Sequence, residues 1–210
     1  MQKSAEKKFI VLETIYGGGN SIVGILKRLQ TEFDSEKSQF IICHSEDAVR
    51  AEHMGVDSSI HPGMPSSAKG KAYLELAARA ELCTSVIEPA LSLGKLVICK
   101  NFTLSSLIGF ELNCPDLKKE LSAIEKRARN DIEPDLTIFI DWTAEENFEH
   151  MLSLGITPPR EMWYYQKQRD LYLKKIDNLP KSKSWVVAPA INNDATWQVL
   201  EPFFVKTIKK

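Results

Sequence analysis

No apolar run in this sequence approaches the roughly 18 residues that a membrane-spanning helix requires. The opening MQKSAEKK has no apolar core of a secretory signal. Both absences point to a cytoplasmic protein without a membrane partner. An excess of one charge is missing as well: 27 Lys and Arg stand against 28 Asp and Glu, a formal net charge of −1. That balance argues against nucleic acid as a partner. Cysteine is scarce, four in 210 residues, and Cys43, Cys83, Cys99 and Cys114 form no C-x-x-C pair. His44, His53, His61 and His150 add no zinc spacing. No metal site is therefore expected, and Cys43 and Cys99, at the ends of apolar runs, are expected as buried thiols in a reducing compartment. Repeats and low-complexity tracts are also lacking.

What the chain does contain is the composition of a globular protein, 43% hydrophobic and 26% charged, long enough to bury a sizeable core as a single domain over 1–210. Five short apolar runs rich in β-branched and aromatic residues lie at 9–13, 39–43, 95–99, 136–141 and 185–189. They lack strict alternation, as strands covered on both faces do. Helical spacing fills 21–32, 70–93, 104–110, 117–130, 144–154, 160–177 and 195–208. Alternation of this kind predicts an α/β fold with a central parallel sheet. HPGMPSSAKGK, 61–71, is the most turn-rich stretch and is expected to be a mobile loop. WYY at 163–165 is expected to be buried rather than to form an exposed or dimer face.

The first strand runs into ETIYGGGNS, 13–21. Against the phosphate-loop pattern G-x-x-x-x-G-K-[ST], Gly19 and Ser21 match, Thr14 replaces the first glycine and Asn20 replaces the lysine. Two readings stay open. Gly17, Gly18 and Gly19, with Asn20 and Ser21 at the helix start, turn backbone amides toward a phosphate; or GGGNS is a tight turn whose Asn20 or Ser21 caps a helix.

Longer stretches resemble the thymidylate kinase family, in order and across nearly the whole chain. FIVLETIYGGGNS is similar to that family's FIVFEGIDGSGKS. LELAARAELCTSVIEPALSLGKLVICKNFTLSSL resembles its LFYAARxQLVxxVIKPAL followed by a strand and DRYxxSS. PDLTIFIDWTAEE and YYQKQRDLYLKKI resemble PDLTLYLDxPPE and FFxRxRxxYLEL. The resemblance implies a three-layer nucleoside-monophosphate-kinase fold of the P-loop type, with about five parallel strands flanked by helices. It also implies a homodimer and, for an active member, ATP and Mg²⁺ acting with dTMP.

The same comparison exposes changes at positions that carry the family's chemistry. Tyr16 replaces an acid of the phosphate loop, and Lys100 and Asn101 replace an Asp-Arg pair after the third strand. CHSEDAVR, 43–50, has no Arg-Glu-Pro motif, and the reduced lid, 150–160, keeps only Arg160. Glu75 stands where an aromatic stacks on thymine. Arg79, Ser105, Ser106, Arg169 and Tyr172 match residues of the monophosphate pocket, and Glu13 is kept. Each retained residue also has a structural reading: Arg79 as an ion-pair partner, Tyr172 as a core aromatic, Ser105 and Ser106 as a helix cap. Lys100, ending a strand beside the first, either is solvated or returns positive charge to the loop. Phosphoryl transfer depends on neutralising charge with Mg²⁺, lysine and arginine. Their loss points to a pseudoenzyme, a binding or interaction module with no catalytic residue and no cofactor assigned. An active kinase with rearranged groups, turning dTMP and ATP into dTDP and ADP, is the alternative, as is a nucleotide sensor without turnover.

Overall fold

The computed structural model describes residues 9–32, 40–44, 67–178, 185–190 and 193–208. Five strands, β1 (Phe9–Thr14), β2 (Phe40–His44), β3 (Leu96–Lys100), β4 (Leu136–Asp141) and β5 (Trp185–Pro189), form one sheet in the order β2-β3-β1-β4-β5. Every pairing is parallel, with Leu12 beside Lys100 and Thr14 beside Ile140. The sheet is thus the expected one, and each strand lies within one residue of its sequence-based limits.

Side chains alternate across the sheet, so β1 feeds two cores. Ile10 and Leu12 join Ile98, Ile138 and Ile140 against α1 (Gly19–Glu32) and α8 (Asn193–Ile208), where Leu29, Trp197 and Phe204 close that layer. Arg28 of α1 lies 4.8 Å over the Trp197 ring and pairs with Asp194, which ties the two helices together. Phe9 and Val11 point the other way, packing with Cys43, Cys99 and Phe102. That second layer comprises α2 (Ala68–Leu82), α3 (Glu88–Ser92), α4 (Thr103–Asn113), α5 (Lys118–Ala128), α6 (Ala144–Ser153) and α7 (Met162–Asp177). Cys43, Cys83, Cys99 and Cys114 are all buried free thiols.

The helix expected over 70–93 is one helical run interrupted by a π turn at Cys83–Ile87. Pro89 sits just beyond that turn and has no amide to offer the carbonyl four residues back, which is where a wider turn relieves the ladder. Of the turn-rich segment 61–71, residues 61–66 lie outside the described residues. Ser67 is the N-cap of α2, accepting the Gly70 amide at 3.1 Å, so the helix starts two residues earlier than expected. Residues 45–50 of CHSEDAVR also lie outside the described residues. The expected burial of WYY holds for Tyr165 at 0% exposure but not for Trp163, 59% exposed at the first turn of α7. Aromatic character alone does not decide which side of a helix faces the core.

Among the described residues no helix is long and apolar enough to cross a membrane. Ile138, fully buried in β4 between α1 and α8, tests the central layer. Ile138→Ala is expected to cost about 2–5 kcal/mol, read as a lower urea midpoint with an unchanged slope.

Candidate functional site

The loop that follows β1 is shaped by packing at each of its three glycines. Gly17 has φ +96°, the left-handed region, and a Cβ there would come within 2.6 Å of the Met151 sulfur. A Cβ on Gly18 would lie 2.5 Å from Thr14 Oγ1 and 2.8 Å from Trp142 Cδ1. On Gly19 it would meet the Lys100 ammonium at 3.0 Å. Polar groups then close the turn. The Gly18 amide donates to Ile15 O at 3.1 Å and the Ser21 amide to Gly18 O at 3.2 Å. Gln168 Oε1 accepts the Tyr16 amide at 2.9 Å, while Asn147 Nδ2 donates to the Tyr16 carbonyl at 2.8 Å. The Ser21 hydroxyl donates to Gly18 O at 2.6 Å and accepts from Trp142 Nε1 at 3.1 Å. A phosphate loop uses such amides to cradle phosphate and such a hydroxyl to hold Mg²⁺. Here the amides of Tyr16, Gly18 and Ser21 and the Ser21 hydroxyl have protein partners, while α1 already begins at Gly19, so that Asn20 and Ser21 lie in its first turn instead of capping it.

The loop forms one wall of a cleft of about 1100 Å³ at the carboxyl ends of β1 and β3, the edge where open α/β sheets hold ligands. Gly17, Gly19, Glu75, Lys100, Asn101, Ser105, Ile156, Tyr164 and Gln168 are among the residues that line it. A neighbouring hollow of about 540 Å³ adds Arg160, whose guanidinium lies 5.2 Å over the Tyr164 ring. Tyr16, 58% exposed, borders both. Lys71, Lys100 and Glu75 are the charged residues of the cleft lining, and Arg160 belongs to the neighbouring hollow.

Other residues picked out by sequence bond within the protein, Ser105 among them although it also lines the cleft. Arg79 is 1% exposed; it donates to Phe102 O at 3.0 Å and to Ser106 Oγ at 3.1 Å, and its guanidinium sits 4.2 Å over the Phe102 ring. Ser106 also donates to the Glu75 carboxylate, and Ser105 Oγ donates to Phe102 O at 2.8 Å. Arg169 is committed to Asp141 through two bonds of 2.6 and 2.8 Å. Tyr172 is 0% exposed and donates to Glu13 Oε2 at 3.2 Å, while Glu13 Oε1 accepts the Phe102 amide at 3.0 Å. Arg79, Ser106, Arg169 and Tyr172 are absent from the cleft lining. Tyr172 is the core aromatic of its structural reading; Arg79 rests on a ring, a carbonyl and a hydroxyl instead of a direct ion pair, and Ser105 and Ser106 do not cap α4, whose N-cap is Phe102 without a side-chain cap bond, but donate from inside the helix to Phe102 O.

Sequence reasoning missed Asn147, Gln168, Trp142 and the Asp141–Arg169 pair. Trp142, directly after β4, sat at the right edge of the sheet to be found. Asn147 and Gln168 are single polar residues in helices, and nothing local distinguishes them from solvated ones.

A family model for thymidylate kinase matches residues 57–191. The thymidylate kinase of Mycoplasmoides gallisepticum is 29% identical over 185 residues, covering 83% of this chain and 84% of that protein. That of Pelotomaculum thermopropionicum is 28% identical over 181 residues, covering 83% and 82%. The crystal structure of thymidylate kinase from Ehrlichia chaffeensis superimposes with a TM-score of 0.65 at 18% identity, covering 92% of this chain and 96% of that one. This last likeness concerns the fold.

Glu13, buried below the cleft, generates a pH prediction. Burial raises its carboxyl above the ordinary 4.5, outweighing the Phe102 amide, the Arg79 charge and the Tyr172 hydroxyl that favour ionisation. The folded state therefore holds this proton more tightly than the unfolded chain. Its stabilising effect is complete below 4.5 and is lost as pH rises through the folded value, with a slope of at most about 1.4 kcal/mol per pH unit. Glu13→Gln should gain stability relative to the parent over that rise, measured by urea unfolding at successive pH values. A difference independent of pH would exclude this role.

Proposed function

The chain belongs to the thymidylate kinase family, and on that premise we propose that it is a member which has lost phosphoryl transfer and keeps the cleft as a nucleotide-binding module. The observation that carries this reading is the inward engagement of the phosphate loop: three of its amides and the Ser21 hydroxyl are bonded within the protein. A reacting phosphoryl group needs those donors and a metal to absorb its charge.

The residues around the loop do not fit Mg²⁺. Lys100 presents a cation where the family pattern has an acid, the Ser21 hydroxyl is occupied, and among the described residues no group of three acidic, histidine or cysteine side chains converges on a metal position. Arg169 stays with Asp141 and Arg79 lies under Phe102, so neither supports a role in stabilising transferred charge.

Cleft size and the cations Lys71, Lys100 and Arg160 support binding of an anionic nucleotide along Gly17–Ser21. The Glu75 carboxylate on the wall offers no π face and repels a monophosphate, which disfavours thymidylate. A homodimer in the cytoplasm, with 150–160 as a shortened lid, completes the proposal on the strength of the family resemblance.

The test pairs calorimetric titration of nucleoside mono- and triphosphates with an assay for ADP release. Binding without product is expected, and Asn20→Lys alone should not restore transfer. Conversion of dTMP to dTDP at about 1 s⁻¹ or faster, the range of working kinases, would overturn the proposal.

A further inference from the structure

We infer that the cleft selects a nucleotide whose base carries an exocyclic amino group, with Glu75 accepting that amine and the Tyr164 ring giving the base its stacking face. This inference deepens the reading of the cleft as a nucleotide site and rests on it.

Room comes first. Glu75, Gly109, Asn113 and Tyr164 line both the cleft and the neighbouring hollow, and so mark the junction of the two. Gly109 lies inside α4, and a Cβ there would meet nothing within 4 Å. The junction thus has open space among residues that include a carboxylate and a ring, and Gly17 and Gly19 line the same cleft. A nucleotide with its phosphates along the loop leaves its base to occupy the remainder.

Second, Glu75 is held in place by a hydroxyl and not by an ion pair. Ser106 donates to its carboxylate, and Ser106 is itself bonded at 3.1 Å by Arg79, which is 1% exposed. Among the described residues no ion pair engages Glu75, and Lys71, one turn earlier on α2, makes none with it. An ionised carboxylate accepts several hydrogen bonds and donates none. That property decides between bases. Cytosine presents an N4 amine, which carboxylates take in base recognition, and adenine presents an N6 amine. Thymine and uracil present the O4 carbonyl instead, and their single ring N–H lies between two carbonyl oxygens that a carboxylate repels.

Third, the ring is placed in advance. Asn113 Nδ2 donates to the Tyr164 hydroxyl at 3.1 Å, and that hydroxyl donates to Asn113 Oδ1 at 3.3 Å. Trp163 and Tyr165 stand edge-on to the ring, each with centroids 6.0 Å away. Arg160 lies over the ring but lines the hollow and not the cleft. A ring so placed loses little freedom on binding, and stacking is indifferent to which base it meets. Tyr164 therefore supplies affinity, and Glu75 supplies the choice.

The experiment titrates CDP, UDP and inorganic pyrophosphate into the full chain by calorimetry. CDP should bind about ten- to a hundredfold more tightly than UDP, the range for a hydrogen bond to a charged group. Glu75→Gln, whose amide can turn either an acceptor or a donor toward the base, should bring the two affinities together. Tyr164→Leu should weaken CDP and UDP alike by about tenfold and leave pyrophosphate unchanged. Gly109→Leu fills the junction from a helix position that tolerates leucine; it should abolish the preference for CDP, and decides the matter if the Glu75 variant does not fold. Equal wild-type affinity for CDP and UDP, or a CDP preference that survives in folded Glu75→Gln or Gly109→Leu, overturns the inference and leaves the nucleotide-binding reading standing. Undiminished CDP binding by a folded Tyr164→Leu protein overturns the role of the ring. Failure of the wild-type protein to bind pyrophosphate or any nucleotide overturns both inference and reading.

Discussion

The peptide group at Tyr16 is held from two sides, its amide by Gln168 of α7 and its carbonyl by Asn147 of α6, and the remainder of the site follows from that clamp. Both partners are themselves buried, Asn147 at 0% and Gln168 at 7% exposure, although Tyr16 is 58% exposed and the two bonds are part-buried. Fixing Tyr16 fixes where Gly17 must turn, and Gly17 in turn brings Gly18 against Thr14 and Trp142. By Gly19 the chain has reached Lys100 and α1 begins. The loop's conformation is thus set by the surrounding helices and needs no ligand to hold it.

A second buried set supports the floor from below. Glu13, at the end of β1, bonds the first amide of the α4 entry through Phe102 and the hydroxyl of Tyr172 on α7. Arg79 lies over the Phe102 ring and reaches Ser106, which links to Glu75 in the cleft lining. Retained family residues thus serve here as internal connections among β1, α2, α4 and α7.

Much of the fold was legible from residue order because periodicity and burial act locally. Runs such as LTIFID and WVVAP read as covered strands, and both are strands; LTIFID in β4 is covered, whereas β5, at the sheet edge, leaves Val187 45% exposed. The loop was legible as well, through three adjacent glycines, and so was the oddity of Asn20. What the sequence could not convey is where long-range polar bonds fall. Gln168 meets Tyr16 across 152 positions and Tyr172 meets Glu13 across 159, separations over which no pattern of spacing carries information. Trp163 escaped for a different reason: three consecutive aromatics on a helix point in three directions, and composition does not say which one faces out.

Charge offers the last step. The family pattern places lysine at position 20 and aspartate and arginine at the end of β3, a net single positive charge over three residues. This chain places asparagine, lysine and asparagine there, with the same net charge. Over these three positions the sum that sets the field at a distance is unchanged. Contact chemistry is altered entirely, because a carboxylate ligand for a metal has gone and the remaining cation stands on β3. An anion can still be drawn to such a cleft, whereas stabilising the charge of a phosphoryl group in motion requires several cations placed around it at once. Attraction of an anion depends on how much charge is present, whereas transfer depends on where it sits.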